Sequence, residues 1–512
     1  MADRLSSLDV SYLYMEDPTT PMHVGGVAIF KPSERGFDYD RLVKIIRSRI
    51  ALTPRFRQRV RWVPGGLGNP VWVDEENFDV TYHVRRSALP KPGTEAQLRE
   101  MVGRIMSRPL DRSRPLWEMY LVEGLAGGRF AILSKTHHAM VDGIDAIDIG
   151  QVILDVDSEA LPVVVDQWSP SREPSLVELM ADAGRDLVRS PRVVVGTVRT
   201  GFGDVHRTAR SVGRSMIGIA SAAFTAARAT PTGPLHAEVG TQRRYGTAHA
   251  KLSDLKEVRR AHGGTVNDVV LAVVAGALRA WLLTRGESVA TATTVRAMVP
   301  VSVRHDEAVG GGNPVAAFLV DLPVGEADPV VRLQRLSFDM AQHKESGRML
   351  GAERIVALSG FAPPTLHALG SRLGNDLGTR VYDLVITNVP GPQFPLYVGG
   401  SLMLASYPVV PLAKGQSVAI GLTSYNGGVY FGINADRDAM PDVDVLAQCL
   451  MDAAEELKEV SRPARRAMGR RPKPPIPDLR SRATERAAEA PSAAGKNEPG
   501  RPPSRASEPE NG

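Results

Sequence analysis

The chain has 512 residues, 43% of them hydrophobic, an ordinary balance for a globular protein of two or three domains. The formal charge of +5 is unevenly placed: from Ser461 onward there are 12 Lys and Arg against 6 Asp and Glu, a net +6. The body is therefore close to neutral, which argues against nucleic acid as its partner.

Cys449 is the single cysteine, so no internal disulfide framework exists and a reducing compartment is expected. Met1-Ala2-Asp3-Arg4 lacks the basic-then-apolar layout of a signal peptide. The longest apolar run, Val269 to Leu278, is short for a bilayer span and is bracketed by Asp268 and Arg279. These features predict a cytoplasmic protein, at most held at a membrane surface.

In chain order, Val24 to Phe30 reads as a strand and Asp40 to Ile50 as a helix with inward Leu42, Ile45, Ile46 and Ile50. Val71 to Val73 and Val80 to Val84 read as strands, Ala96 to Ser107 as a helix, and Trp117 to Val122 and Phe130 to Leu133 as strands. This first domain spans 1–160. Residues 161–240 form an Arg-rich helical connection, opened by Pro162, Pro170, Pro174 and Pro191 and closed by Pro231 and Pro234. Arg189, Arg192, Arg199, Arg207, Arg210 and Arg214 recur near helical spacing there, giving a basic face that is either solvated or set against lipid or CoA phosphate.

A second domain spans 241–460. Val266 to Leu283 reads as a helix, Thr294 to Val303 and Val315 to Leu322 as strands, and Val418 to Tyr425 with Gly428 to Ile433 as a hairpin across Asn426-Gly427. Tyr382 to Ile386 reads as a strand ending in a turn over Thr387 to Pro392, and Val443 to Val460 as a closing helix. The tail 461–512 is basic, rich in Pro, Arg, Ala, Ser and Glu, and expected to be disordered.

The chemistry concentrates in His137-His138-Ala139-Met140-Val141-Asp142-Gly143, where a strand ends and a helical pattern begins. Histidine titrates near neutral pH and can take a proton from a substrate hydroxyl and return it. Neighbouring side chains at a strand end point in different directions, so one of the pair faces the substrate and the other supports it. Asp142 has a plain role as a helix N-cap. HExxH, GxSxG, Walker A and GxGxxG motifs are all absent, which weakens metalloprotease, serine hydrolase, nucleotide hydrolase and dehydrogenase readings. The spacing of His137 and Asp142 also fits the HxxxxD signature of glycerol-phosphate acyltransferases, but their Glu-Gly-Thr block is missing.

Further blocks surround the pair: Leu8-Asp9, Pro21-Met22-His23-Val24-Gly25-Gly26, Pro115-Leu116-Trp117, Asn267-Asp268, Pro300 to Arg304, Gly312-Asn313 and Thr387 to Pro392. Together with HHxxxDG they resemble the bacterial wax ester synthase/diacylglycerol acyltransferase family of the CoA-dependent acyltransferase superfamily, over most of 1–460. The resemblance implies an α/β fold of two chloramphenicol-acetyltransferase-like domains with the active site in the cleft between them. It implies transfer of a long-chain acyl group from acyl-CoA to diacylglycerol, giving triacylglycerol for storage, or to a long-chain alcohol, giving wax ester. No cofactor is implied, acyl-CoA being a substrate; peripheral contact with the inner membrane face or a lipid droplet would supply the acceptor.

Carried over, the resemblance makes His138 the general base, His137 its support, and Asp142 with Gly143 the residues that shape the loop, with Arg304 as the candidate partner of Asp142. Ser302 or Asn388 could donate to the oxyanion. Pro115, Leu116 and Trp117 read equally well as core entering a strand, and Asn267 and Asp268 as helix caps. Two rivals stand beside this reading: an acyltransferase of the same superfamily with another alcohol or an amine as acceptor, and a non-catalytic lipid-binding protein.

Overall fold

Ser6 and Asp9 start the first helix. The Ser6 amide donates to Asp9 Oδ2 and the Asp9 amide to Ser6 Oγ, both at 3.1 Å, closing a capping box. The computed structural model describes residues 3–64, 68–141, 149–159, 166, 168–189, 233–302, 315–345 and 382–469. Its first elements are β1 (Asp3–Arg4), α1 (Ser7–Met15), β2 (His23–Lys31), α2 (Tyr39–Arg49), β3 (Gln58–Arg61), β4 (Val71–Asp74), α3 (Val80–His83), β5 (Val84–Ala88), α4 (Glu95–Met106), β6 (Trp117–Leu125), β7 (Arg129–His137), α5 (Ile149–Val152) and α6 (Leu176–Arg189). They are followed by β8 (Arg243–Lys251), α7 (Leu252–His262), α8 (Val266–Thr284), β9 (Val295–Ser302), β10 (Val315–Leu322), α9 (Pro329–Glu345), β11 (Leu384–Pro390), β12 (Tyr397–Val398), β13 (Ser401–Val409), β14 (Val418–Tyr425), β15 (Gly428–Asp436) and α10 (Val443–Gly469).

Two six-stranded sheets and a small three-stranded one, β1-β4-β3, organise the elements of one compact unit, Met1–Arg462. The first has the order β12-β13-β2-β7-β6-β5 and the second β10-β9-β11-β14-β15-β8. The first sheet takes β12 and β13 from beyond residue 390, with Val409 paired to Gly25 and Tyr407 to Val27. This exchange ties the C-terminal part of the chain to the sheet that carries the histidines. Tyr425 tightens the tie: its hydroxyl donates to Met403 C=O at 3.0 Å and accepts from the Leu396 amide at 2.9 Å.

The first core is built by Leu42, Val43 and Ile46 of α2, packed with Phe30, Leu116, Trp117, Met119 and Leu121. A second core lies on the other face of that sheet, where Leu98 and Val102 of α4 meet Val27, Leu133 and Tyr245. The largest core packs α8 with α9 and α10 against the second sheet. By length and composition alone α8 could cross a membrane, but residues Asp268 to Leu278 along it are all buried inside the protein.

Gly25 sets the spacing of β2 on β7. A Cβ there would sit 2.1 Å from Ser134 C=O, inside contact distance, so only glycine lets the two strands close. The hairpin of β14 and β15 turns as expected through Asn426 (φ 43°) and Gly427 (φ 81°), both in the left-handed region that this tight turn requires.

Two expected elements differ. Val80 to His83 is a helical turn rather than a strand, because Asp79 caps it: its carboxylate accepts from the Thr81 amide at 2.9 Å. The strand begins only at Val84. Thr387 to Pro390 continues β11 instead of turning, in parallel register with β14 from Val385↔Ala419 to Pro390↔Ser424. Among the described residues, pairing with β9 covers Leu384 and Val385 only, so no described strand on that side asks Pro390 for a donor. The Arg-rich stretch from Arg192 to Arg214 lies outside the described residues.

Candidate active site

The histidine pair is held by backbone before any side chain contributes. His137 ends β7 opposite His23 of β2, and its amide donates to Leu116 C=O at 2.9 Å. The chain then turns through a single 3-10 turn, His138–Met140, where the His138 amide donates to Met22 C=O at 2.8 Å. Three blocks distant in sequence thus meet here: Pro21-Met22-His23, Pro115-Leu116-Trp117 and His137-His138.

The two imidazoles differ in environment, as expected of neighbours at a strand end. His137 is buried at 1% exposure. Its Nδ1 accepts from the Ala139 amide at 3.1 Å, so in the neutral ring the proton sits on Nε2, which lies 3.5 Å from Glu16 Oε2. His138 is half-buried and stacks on Tyr12 with ring centroids 4.0 Å apart and planes 19° from parallel. Burial pushes its imidazole down to about 4, and neighbouring His137 pushes the same way. His138 is therefore neutral at physiological pH, the state a general base needs.

Glu16 and Tyr12 were not legible as site residues from motif spacing, yet both touch the pair. Glu16 is buried behind His137 and gathers several donors. Its Oε1 accepts from the Met22 amide at 3.3 Å and lies 3.4 Å from His23 Nε2; its Oε2 takes Arg112 Nε at 3.0 Å. Burial alone would raise the Glu16 carboxyl, but His137, His23 and Arg112 together hold it well below the usual carboxylate range. His23 is pushed down to about 4 by burial, so its contact with Glu16 is that of a neutral ring. An acid five residues before Pro21-Met22-His23, at i+4 from Tyr12, was the signal available.

Pro115-Leu116-Trp117 is core. Leu116 and Trp117 are both at 0% exposure. The Trp117 indole donates to Phe56 C=O at 2.8 Å, its ring stacks on His83, and its own carbonyl accepts from His83 Nδ1 at 2.7 Å. The motif serves the site through the Leu116 carbonyl that anchors His137.

Asn267 and Asp268 stand at the start of α8. Asp268 closes a capping box with Thr265, as expected of a cap, its Oδ2 accepting from the Thr265 amide at 2.8 Å. Asn388 on β11 donates to Asn267 Oδ1 at 3.0 Å. Among the described residues, no hydrogen bond links this asparagine pair to His137 or His138. Asp142, Gly143 and Arg304 lie outside the described residues, as does the side chain of Ser302.

Solved structures share the fold. The first condensation domain of the calcium-dependent antibiotic synthetase matches with a TM-score of 0.50 over 90% of this chain and 97% of its own, at 17% identity, a likeness of fold. The wax ester synthase/diacylglycerol acyltransferase of Marinobacter aquaeolei matches with a TM-score of 0.63 at 27% identity, over 90% of this chain and 99% of that one. The two six-stranded sheets, with His137 and His138 at the end of β7, define the fold shared by wax ester synthase/diacylglycerol acyltransferases and condensation domains.

Family models make the assignment narrower. The wax ester synthase/diacylglycerol acyltransferase catalytic domain matches residues 5–270 and the WS/DGAT C-terminal domain residues 311–458. A protein of Mycobacterium tuberculosis named "Probable diacyglycerol O-acyltransferase tgs1" is 33% identical over 92% of this chain and 98% of its own length. Another from that organism, "Probable diacyglycerol O-acyltransferase tgs3", is 41% identical over 51% of this chain and 96% of its own. The chain belongs to the wax ester synthase/diacylglycerol acyltransferase family.

Proposed function

We propose that this protein transfers a long-chain acyl group from acyl-CoA to the free hydroxyl of diacylglycerol, and to long-chain alcohols as a second acceptor class. The observation that carries the mechanism is His138: a neutral, half-buried imidazole on a turn fixed by the Met22 carbonyl, in a chain of this family. Neutral His138 takes the proton from the acceptor hydroxyl as its oxygen attacks the thioester carbonyl carbon. The C–O bond forms, the tetrahedral oxyanion collapses, and the C–S bond breaks. The proton on His138 passes to the CoA sulfur, leaving ester and free CoA with the imidazole neutral again. A direct attack needs no acyl-enzyme intermediate.

Asn388 remains the described candidate for an oxyanion donor. One hydrogen of its amide is engaged by Asn267, which fixes the plane of the group and leaves the second hydrogen for the substrate. Asp142 and Arg304 are assigned to holding the loop, and Ser302 to a second donor. Diacylglycerol partitions into lipid, so the reaction is assigned to a membrane or droplet surface facing the cytoplasm.

The test offers labelled palmitoyl-CoA with dioleoylglycerol or hexadecanol to the wild type and to His138→Ala. The expected result is ester from dioleoylglycerol, less from hexadecanol, and none above background from His138→Ala. No ester from either acceptor overturns the activity; undiminished ester from His138→Ala overturns the base.

A further inference from the structure

Helix α1 and the residue that caps its C-terminal end reach the histidine turn at two points. Tyr12 and Glu16 are four residues apart, the spacing that stacks side chains along a helix, and the Glu16 amide donates to Tyr12 C=O at 3.2 Å to close that turn. Tyr12 lies flat on His138, and Glu16 lies behind His137. Neither residue belongs to the HHxxxDG, PLW, ND or NVPGP blocks.

We propose that α1 is a clamp on the catalytic turn, with Glu16 fixing the tautomer of His137 and the Tyr12 ring fixing the plane of His138. This rests on His138 being the base. The argument for Glu16 is connectivity. The Ala139 amide, donating to His137 Nδ1, leaves the ring proton on Nε2, and Glu16 Oε2 lies 3.5 Å from that nitrogen, near enough to favour the proton there by charge although no hydrogen bond closes between them. The same carboxylate holds the Met22 amide, and the Met22 carbonyl holds the His138 amide. One anion therefore reaches both histidines, His137 directly and His138 through Met22. Arg112, donating through Nε at 3.0 Å, and Arg112 to Leu13 C=O at 3.1 Å, pin that anion to the end of α1.

The argument for Tyr12 is what His138 lacks. Its Nδ1 is buried and has no hydrogen-bond partner among the described residues beyond the backbone of His138 itself, so no other described residue sets the rotation of the ring through that nitrogen. The near-parallel tyrosine at 4.0 Å does so by contact instead. A base that swings away from the acceptor hydroxyl loses rate steeply, since a displacement of about 1 Å can cost about a hundredfold. Glu16 and Tyr12 are thus positioning residues that act through the histidines.

The experiment compares Glu16→Gln, Tyr12→Leu and Tyr12→Phe with wild type and His138→Ala, using palmitoyl-CoA and dioleoylglycerol, with circular dichroism reporting the fold. The clamp predicts that folded Glu16→Gln and Tyr12→Leu lose about ten- to a hundredfold in kcat while KM for palmitoyl-CoA stays within about twofold. Tyr12→Phe, which keeps the ring, retains most of the wild-type kcat. If Glu16→Gln does not fold, the Tyr12 pair decides. With His138→Ala inactive, wild-type kcat in folded Tyr12→Leu, or equal losses in Tyr12→Leu and Tyr12→Phe, overturns the role of the Tyr12 ring; wild-type kcat in folded Glu16→Gln overturns that of Glu16. An active His138→Ala instead removes the base itself, a separate failure.

Discussion

Asn388 on β11 donates its side-chain amide to Asn267 Oδ1 at 3.0 Å, joining the strand that carries Thr387 to Pro390 to the first turn of α8. Two motifs separated by more than a hundred residues are therefore one structural unit. Asn267 contributes the acceptor at the helix start, while its neighbour Asp268 satisfies the cap. The bond orients the amide plane of Asn388 and, among the described residues, leaves its second hydrogen without an acceptor.

A double-mutant cycle tests this link. Asn267→Ala and Asn388→Ala each lose the bond, so their effects on unfolding free energy should be less than additive by about 1 kcal/mol. Urea denaturation of the two single variants and the double variant measures the coupling. Strict additivity would mean that the two side chains do not depend on each other in solution.

Much of this arrangement could be read in the chain and part of it could not. Helices α2 and α4, the core helix α8 and the hairpin at Asn426-Gly427 were legible because each carries a local signal: apolar spacing of 3.6 residues, or the turn chemistry of Asn-Gly. Val80 to His83 misled because β-branched and aromatic residues suggested a strand, while the Asp79 cap settled the backbone as a helical turn. β13 was not legible at all. Its partner β2 lies near the other end of the chain, and no local pattern reports such a pairing. The same limit applies at the site. His137 and His138 form a motif, whereas Glu16 gains its meaning only when β2 and β7 bring His23 and His137 to it.

Trp117 separates a core role from a substrate-binding one. The Trp117→Phe variant leaves Phe56 C=O without its indole donor and leaves space beside His83. The loss should be about 2 kcal/mol or more, from an unsatisfied buried carbonyl together with a cavity. Thermal denaturation should show a lowered midpoint, while the kcat and KM of the folded protein at low temperature stay close to wild type. A raised KM for acyl-CoA with unchanged stability would place Trp117 at the substrate and remove the core assignment.

Acid should destabilise the fold through His83, and the sign follows from its burial. His83 is at 2% exposure, and burial pushes its imidazole down to about 4, against an ordinary value near 6.5 in the unfolded chain. Between those values the unfolded chain binds a proton that the folded chain refuses. Stability is therefore full above about pH 6.5 and declines as pH falls toward 4, by up to about 3 kcal/mol for this residue. His23, also pushed to about 4 by burial, acts in the same window. The Glu16 carboxyl is depressed instead, so its contribution is lost only as pH falls below the ordinary carboxylate range. Replacing His83 by glutamine keeps a neutral donor for Trp117 C=O, which His83 Nδ1 supplies at 2.7 Å. Urea midpoints of wild type and His83→Gln, followed from pH 7 to 4.5, should converge or cross as wild type loses stability faster. Parallel curves would show that His83 takes up its proton equally in both states, and that burial does not hold it neutral.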